Sequence, residues 1–171
     1  MYQIITKYYK TKFGELILGS YREELCLCDW RYRSKRLLID SRLQKVLKAH
    51  YVLGESEVIN RCIEQLEEYF NYKRRTFSIP LLLVGSDFQK RVWNVLLDIP
   101  FGKTTTYLKQ AELLGNKKSV RAVANANGAN SIAIIIPCHR VIGSKGELTG
   151  YAGGLRTKQK LLDLEQDLFI I

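Results

Sequence analysis

The chain has no apolar run long enough to cross a bilayer, which takes about 20 predominantly apolar residues; Ile132 to Pro137 ends far short of that. Its opening, Met1-Tyr2-Gln3-Ile4-Ile5, lacks the basic region and apolar core of a secretory signal. An intracellular protein with reduced thiols is therefore expected, and a disulfide framework among the four cysteines is not. Histidine is scarce: His50 and His139 are the only two, and no ligand pair stands at short spacing. Zinc would need further ligands, so no metal and no cofactor is expected. Cys26, Cys28 and Cys62 read as small core or surface residues, with Cys26 and Cys28 on one face of a strand. Internal repeats and low-complexity segments are also missing.

What is present is ordinary globular material. Of 171 residues, 46% are hydrophobic and 26% charged, which suits one domain or two small ones and argues against disorder. The net charge is +10, and it is uneven. Phe101 to Lys160 holds ten Lys or Arg against Glu112 and Glu147, giving +8 and leaving +2 elsewhere. A concentrated basic region is the footprint of a polyanion binder. A solvated basic surface explains the charge equally well at this point.

The first third reads as strands. Phe13–Ser20 and Leu25–Trp30 flank Tyr21-Arg22-Glu23-Glu24 in hairpin fashion, and a helix is expected around Leu43–Ala49. Ser56–Phe70 carries apolar residues at helical steps, with Ser56 as N-cap. Polar residues 71–78 form a linker before Pro80, which puts a boundary at 78/79, and Leu81–Val84 suggests a short strand. Ser86-Asp87-Phe88-Gln89 has the capping-box pattern, and Pro100 ends the helix it starts. Tyr107–Leu114 stops at Gly115; Ser119 caps a second helix, Val120–Asn127, closed by Gly128. Two short helices around a Gly-containing turn have the shape of a helix-turn-helix. Leu155–Leu164 is a last helix.

One segment carries chemistry. The run Ile132–Ile136, a buried-strand pattern, leads into Pro137-Cys138-His139-Arg140. Proline fixes its own φ and biases its predecessor toward an extended form, so Cys138 stands at a rigid junction. Positive neighbours lower a thiol's pKa from its usual value of about 8.5. Adjacent side chains in an extended segment diverge, so His139 need not touch Cys138 directly, and a water could pass the proton between them. A carboxylate beyond the imidazole would fix its tautomer; Glu165, Asp163 and Asp167 all qualify by spacing. A buried structural cysteine remains the plain alternative.

The segment Ile136-Pro137-Cys138-His139-Arg140-Val141-Ile142 closely resembles the active-site motif of the O6-alkylguanine-DNA alkyltransferases, also called methylated-DNA–protein-cysteine methyltransferases. Phe88–Trp93, Ile99–Lys103, Thr106-Tyr107, Ser119–Val123 and Gly150–Leu155 resemble further family pieces in order and spacing. Phe13–Leu16 and Phe77–Leu81 match more loosely. The resemblance implies an α/β (α+β) chain. A small N-terminal α/β domain with an antiparallel, ribonuclease H-like sheet would span 1–78 with its linker. A mainly helical domain with a winged-helix-like helix-turn-helix would span 79–171.

It also implies roles. Cys138 is the nucleophile and alkyl acceptor, His139 its water-mediated base, and Glu165 orients His139. Tyr107 protonates the leaving guanine, and Asn130 braces the turn ahead of the site. Arg121 enters the base stack and replaces the flipped base; small Ala122, Ala124 and Ala126 allow close approach to a minor groove. Lys117, Lys118 and Ser119 contact phosphate. Tyr151, Ala152, Gly153 and Val141 line the base pocket, with Ile142 in its floor. The implied partner is double-stranded DNA containing alkylated guanine, bound by a monomer away from membranes. Three rivals stand beside this reading: a DNA-binding relative without transfer, which would replace the cysteine; a helix-turn-helix regulator indifferent to Cys138; and a thiol hydrolase that turns over repeatedly.

Overall fold

The computed structural model describes residues Met1–Gln166. The chain divides into two compact units, Met1–Val84 and Gly85 onward. In the first, β1 (Tyr2–Thr11), β2 (Gly14–Tyr21) and β3 (Glu24–Trp30) form an antiparallel meander. Helix α1 (Arg36–Leu47) then carries the chain across to β4 (Ala49–Leu53), and α2 (Glu57–Phe70) follows. The β2–β3 connection is the expected hairpin, with Arg22 and Glu23 both at positive φ and Tyr21 paired to Glu24. The strand order is β3-β2-β1-β4. The sheet is therefore not purely antiparallel: β4 runs parallel to β1, which a crossover helix makes possible.

Strand alternation gives the sheet two apolar faces. Ile4, Ile17 and Leu27 share a buried cluster with Ile39 and Leu43 of α1. Leu16, Leu18 and Cys28 occupy the other parity and are equally buried. On α2, Val58, Ile59, Cys62, Leu66, Tyr69 and Phe70 are buried, and Ser56 caps the helix by accepting from the Ile59 N–H at 3.2 Å. Helix α1 starts earlier than the periodicity around Leu43 suggests. Its first turn leaves Leu37 and Leu38 exposed, so no apolar stripe announces it. It stops at Lys48 in the left-handed region. The segment after Pro80 belongs to this unit, because Leu25 and Leu82 donate backbone hydrogen bonds to Pro80 and Leu25 respectively. The expected strand at Leu81–Val84 reduces to one bridge, Leu25 with Leu81.

In the second unit the elements are α3 (Asp87–Leu97), β5 (Thr105–Thr106), α4 (Tyr107–Leu113), α5 (Val120–Gly128), β6 (Val141–Ile142) and α6 (Leu155–Gln166). The capping box at Ser86 and Gln89 is fully formed. Gly85 has no room for a Cβ, because the Trp93 ring lies against it. Trp93 is buried and its Nε1 donates to the Ala126 carbonyl at 2.8 Å, holding the C-terminal end of α5 on α3. Gly115, at φ +87°, turns the chain out of α4.

Two local expectations are corrected. Ser119 does not cap α5: a 3₁₀ turn, Lys117–Ser119, precedes that helix, and Ser119 is its last residue. Asn116 takes the capping role, accepting from Lys118 N–H at 3.0 Å, while the Ser119 hydroxyl donates to the Asn116 carbonyl. The run Ile132–Ile136 is buried but is a folded coil rather than a strand. Ile135 N–H donates to Ala133 and Ile136 N–H to Ile132, and Ile134 has φ +70°. A β-branched residue in that region costs about 1–3 kcal/mol and persists only where its surroundings impose it.

A buried ion cluster ties β3 to α1. Asp29, fully buried, accepts from Arg33 at 3.1 Å and Arg36 at 2.9 Å; Arg36 also pairs with Asp40, to which Tyr51 donates at 2.7 Å. Removing the carboxylate would take the ionic partner from the buried Arg33 guanidinium and leave Arg36 with Asp40. Asp29→Ala is expected to lower the unfolding free energy by about 3–5 kcal/mol in urea titrations; a loss below about 1 kcal/mol, the scale of an exposed pair, would show the cluster to be solvated.

Candidate active site

Two very short strands bring the site together. β5 pairs in parallel with β6 in the register Thr105↔Val141 and Thr106↔Ile142. Tyr107 follows the first strand and Cys138-His139-Arg140 precede the second, so residues distant in sequence become neighbours. Thr106 caps α4 by accepting from the Lys109 N–H, which fixes Tyr107 as the first residue of that helix.

Cys138 opens a one-turn 3₁₀ helix, Cys138–Arg140, directly after Pro137, and only 8% of it is exposed. Asn130 braces the coil ahead of it. Its Oδ1 accepts from Ile132 N–H at 2.9 Å; its Nδ2 donates to the Ile136 carbonyl at 2.9 Å and approaches Cys138 Sγ at 3.4 Å. One buried amide thus spans the strained Ile134 turn and touches the sulfur.

His139 is completely buried, and its Nε2 lies 2.7 Å from Glu165 Oε1. An ionised carboxylate can only accept, so Nε2 carries the hydrogen and Nδ1 keeps its lone pair. Nδ1 is buried and meets no protein hydrogen-bond partner among the described residues. Arg140 grips the same carboxylate with both Nε and Nη2 at 2.9 Å, and its Nη1 donates to the Ile99 carbonyl. Of the three acids at suitable spacing, Glu165 is the one in place. Asp163 accepts from Gln159 at an exposed position, and Asp167 lies outside the described residues.

The electrostatics follow from burial and pairing. Burial pushes the His139 pKa below its ordinary 6.5, with Glu165 opposing, so the ring is neutral and able to accept a proton. Burial alone would raise Glu165, but His139 and Arg140 outweigh it and bring the pKa down to about 2. Burial drives Cys26 up to about 12, and Cys28 is raised by its hydrogen bond with Cys62 and then by burial. Among the described residues no group of three or more His, Cys, Asp or Glu is placed to hold a metal ion.

On the other side of the site, the Tyr107 hydroxyl donates to the Thr149 carbonyl at 2.8 Å. Burial raises its pKa. Lys158, fully buried on α6, was not anticipated from the sequence. Its Nζ reaches Thr149 O at 3.2 Å, Gly150 O at 3.4 Å and Tyr107 Oη at 3.5 Å. Burial lowers its pKa. The signal was available: Lys158 and Glu165 interrupt the stripe that Leu161 and Leu162 define on α6, and a charge in an apolar stripe needs a buried partner.

Tyr151 is half-buried, with its ring edge-on to His139 at 6.5 Å between centroids. Val141 is buried; Ile142, Ala152 and Gly153 are partly exposed. The remaining sequence candidates gather elsewhere, at the start of α5. Lys117, Lys118, Arg121 and Ala122 are exposed, and Ser119 and Ala124 half-buried, whereas Ala126, expected beside them, is buried in the interior.

The site should show in the pH dependence of stability. The unfolded chain takes up a proton on His139 near pH 6.5, whereas the folded chain, its His139 pKa lowered by burial, takes it up only at lower pH, so stability falls as pH drops through that range. Glu165, depressed in the folded state, adds a second loss between its ordinary 4.5 and about 2. Urea titrations from pH 8 to 2.5 are expected to show both declines, with the lower one reduced in Glu165→Gln. Stability flat across this range would contradict the assigned charge states.

Comparison with known proteins matches both halves of the chain. Residues 4–83 match the family model described as "6-O-methylguanine DNA methyltransferase, ribonuclease-like domain", and residues 87–167 match "6-O-methylguanine DNA methyltransferase, DNA binding domain". A methylated-DNA–protein-cysteine methyltransferase of Methanosarcina acetivorans is 51% identical over 109 residues, 64% of this chain and 70% of that protein. One from Mycobacterium tuberculosis is 51% identical over 104 residues, 61% and 63% of the two chains. These alignments thus span about two thirds of the relatives' lengths. The crystal structure of M. tuberculosis O6-methylguanine methyltransferase superposes with a TM-score of 0.81 at 35% identity, covering 96% of this chain and 93% of that one. The same protein in complex with DNA gives 0.81 at 37% identity over the same shares. With both halves matched in order, the chain belongs to the 6-O-methylguanine DNA methyltransferase family.

Proposed function

We propose that the protein repairs DNA by moving an alkyl group from O6 of a damaged guanine onto Cys138. The observation that carries this reading is the buried Glu165–His139 pair beside a single thiol, with the His139 Nδ1 lone pair still available. Neutral His139 takes the Cys138 proton through a water, and Glu165 stabilises the imidazolium that forms. The sulfur attacks the alkyl carbon, an S–C bond forms, and the C–O6 bond breaks with its electron pair passing to guanine. The Tyr107 hydroxyl supplies the proton the guanine needs, and Lys158, donating toward Tyr107 Oη, favours the loss of that proton. A thioether is stable, and no group among the described residues is placed to remove the alkyl, so each molecule reacts once.

A stacked base cannot reach a buried thiol. The base is flipped out, at a cost of a few kcal/mol. Arg121 fills the vacated space, while Ala122 and Ala124 let α5 approach the minor groove and Lys117, Lys118 and Ser119 meet phosphates. Tyr151, Ala152, Gly153 and Val141 receive the base. The M. tuberculosis relative solved with DNA supports DNA as the partner. We place this chemistry in a monomer inside the cell, where thiols stay reduced. A sequence-reading regulator would have no use for the Glu165–His139–Cys138 arrangement.

Incubation with duplex DNA carrying labelled O6-methylguanine is expected to put one label per protein on Cys138 and none on Cys138→Ala. Repeated turnover, or label on Cys138→Ala, would overturn the reading. Arg121→Ala is expected to slow reaction in duplex DNA by about tenfold or more, and reaction with the free base hardly at all; equal losses would remove Arg121 from flipping.

A further inference from the structure

The buried side chains that α4 and α5 turn inward are Gln110, Ala111, Val123, Ala126 and Asn127. Three of these are small or short. The other two form a closed pair. Gln110 Nε2 donates to Asn127 Oδ1 at 2.9 Å, and Asn127 Nδ2 donates back to Gln110 Oε1 at 2.8 Å. Gln110 is fully buried and Asn127 nearly so.

A reciprocal amide pair inside a protein adds little net stability over well-packed apolar residues of the same shape. Its effect is directional: any slip or rotation of one helix leaves buried donors and acceptors unpaired. The preceding residue of α5 is fixed as well, since the Ala126 carbonyl accepts from Trp93. The C-terminal half of α5 is therefore pinned by two buried polar contacts, and its exposed N-terminal turn, with Arg121, extends from that anchor. Tyr107 is the first residue of the helix that carries Gln110.

We infer that the Gln110–Asn127 pair is a positioning device that sets the register of α4 against α5, and so places Arg121 on the DNA relative to Tyr107 and the thiol. It touches no reacting atom, and the inference rests on the alkyl-transfer reading. It assigns these two residues to the coupling between DNA engagement and chemistry rather than to chemistry itself.

The test is a comparison of rates in the full chain. Gln110→Leu with Asn127→Leu replaces both amides by apolar groups of similar size. The exchanged pair, Gln110→Asn with Asn127→Gln, keeps the reciprocal hydrogen bonds. Each is assayed for methyl transfer from duplex DNA carrying O6-methylguanine and from the free O6-methylguanine base. The leucine pair is expected to lose about tenfold in duplex rate, the scale on which small misplacements act, while its free-base rate stays within about twofold. The exchanged pair is expected to recover most of the duplex rate. Unchanged duplex repair in the leucine pair, equal losses on both substrates, or a loss in the exchanged pair as large as in the leucine pair would each overturn the inference. If the leucine pair does not fold, the exchanged pair decides alone: a duplex rate near that of the unmodified chain supports register, and a duplex-specific tenfold loss refutes it. Failure of the unmodified chain to transfer methyl from either substrate would instead count against the alkyl-transfer reading.

Discussion

The Glu165 carboxylate holds the site together. One oxygen faces the His139 imidazole, and both are held by the Arg140 guanidinium, all three groups being buried. An unpaired carboxylate at this depth would take up a proton, and a protonated Glu165 would neither orient His139 nor stabilise its charged form. Arg140 keeps Glu165 ionised, Glu165 keeps the hydrogen on Nε2, and Nδ1 is left as the base. Each function depends on the one before it. The arrangement is also intolerant of partial loss, because removing one partner of a buried ion pair costs about 3–5 kcal/mol.

Around that interaction, backbone geometry does the rest. The two-residue pairing of β5 with β6 is too small to be stable alone, yet it sets Tyr107 across from the Cys138 turn. The coil before it places an isoleucine at positive φ, and Asn130 spans that coil with three polar contacts. Strain at Ile134 and the brace at Asn130 are parts of one device, which holds a thiol at the end of an apolar run without letting the run become a strand. Alkyl transfer depends on approach of sulfur to carbon within a fraction of an ångström, so a rigid mounting for Cys138 has a direct chemical purpose.

Much of this was legible in the sequence. Amphipathic α2, the capping box at Ser86 and the stop at Gly115 follow from local rules that tertiary structure leaves alone. The motif around Cys138 carried the chemistry because residue types there leave few alternatives. What could not be read depended on distant partners. Helix α1 hides its start because Leu37 and Leu38 face outward. Strand β4 exists through its pairing with β1 and has no alternating pattern of its own. Ile132–Ile136 has the composition of a strand, but the turn at Ile134 and the Asn130 hydrogen bonds fold it as a coil. Choosing Glu165 over Asp163 required the third dimension. Lys158 and Gln110 were missed for a common reason: a polar residue on a helix reads as solvent-facing until its buried partner is known.

The dependence of Cys138 on Glu165 can be measured directly. Iodoacetamide alkylation at neutral pH, followed by peptide mass spectrometry, separates Cys138 from the buried Cys26, Cys28 and Cys62. Cys138 is expected to react far faster than the other three in the native chain, and to slow by at least about tenfold in folded Glu165→Gln. Equal Cys138 rates in the two proteins would contradict the account, because the base would then owe nothing to the carboxylate that holds it.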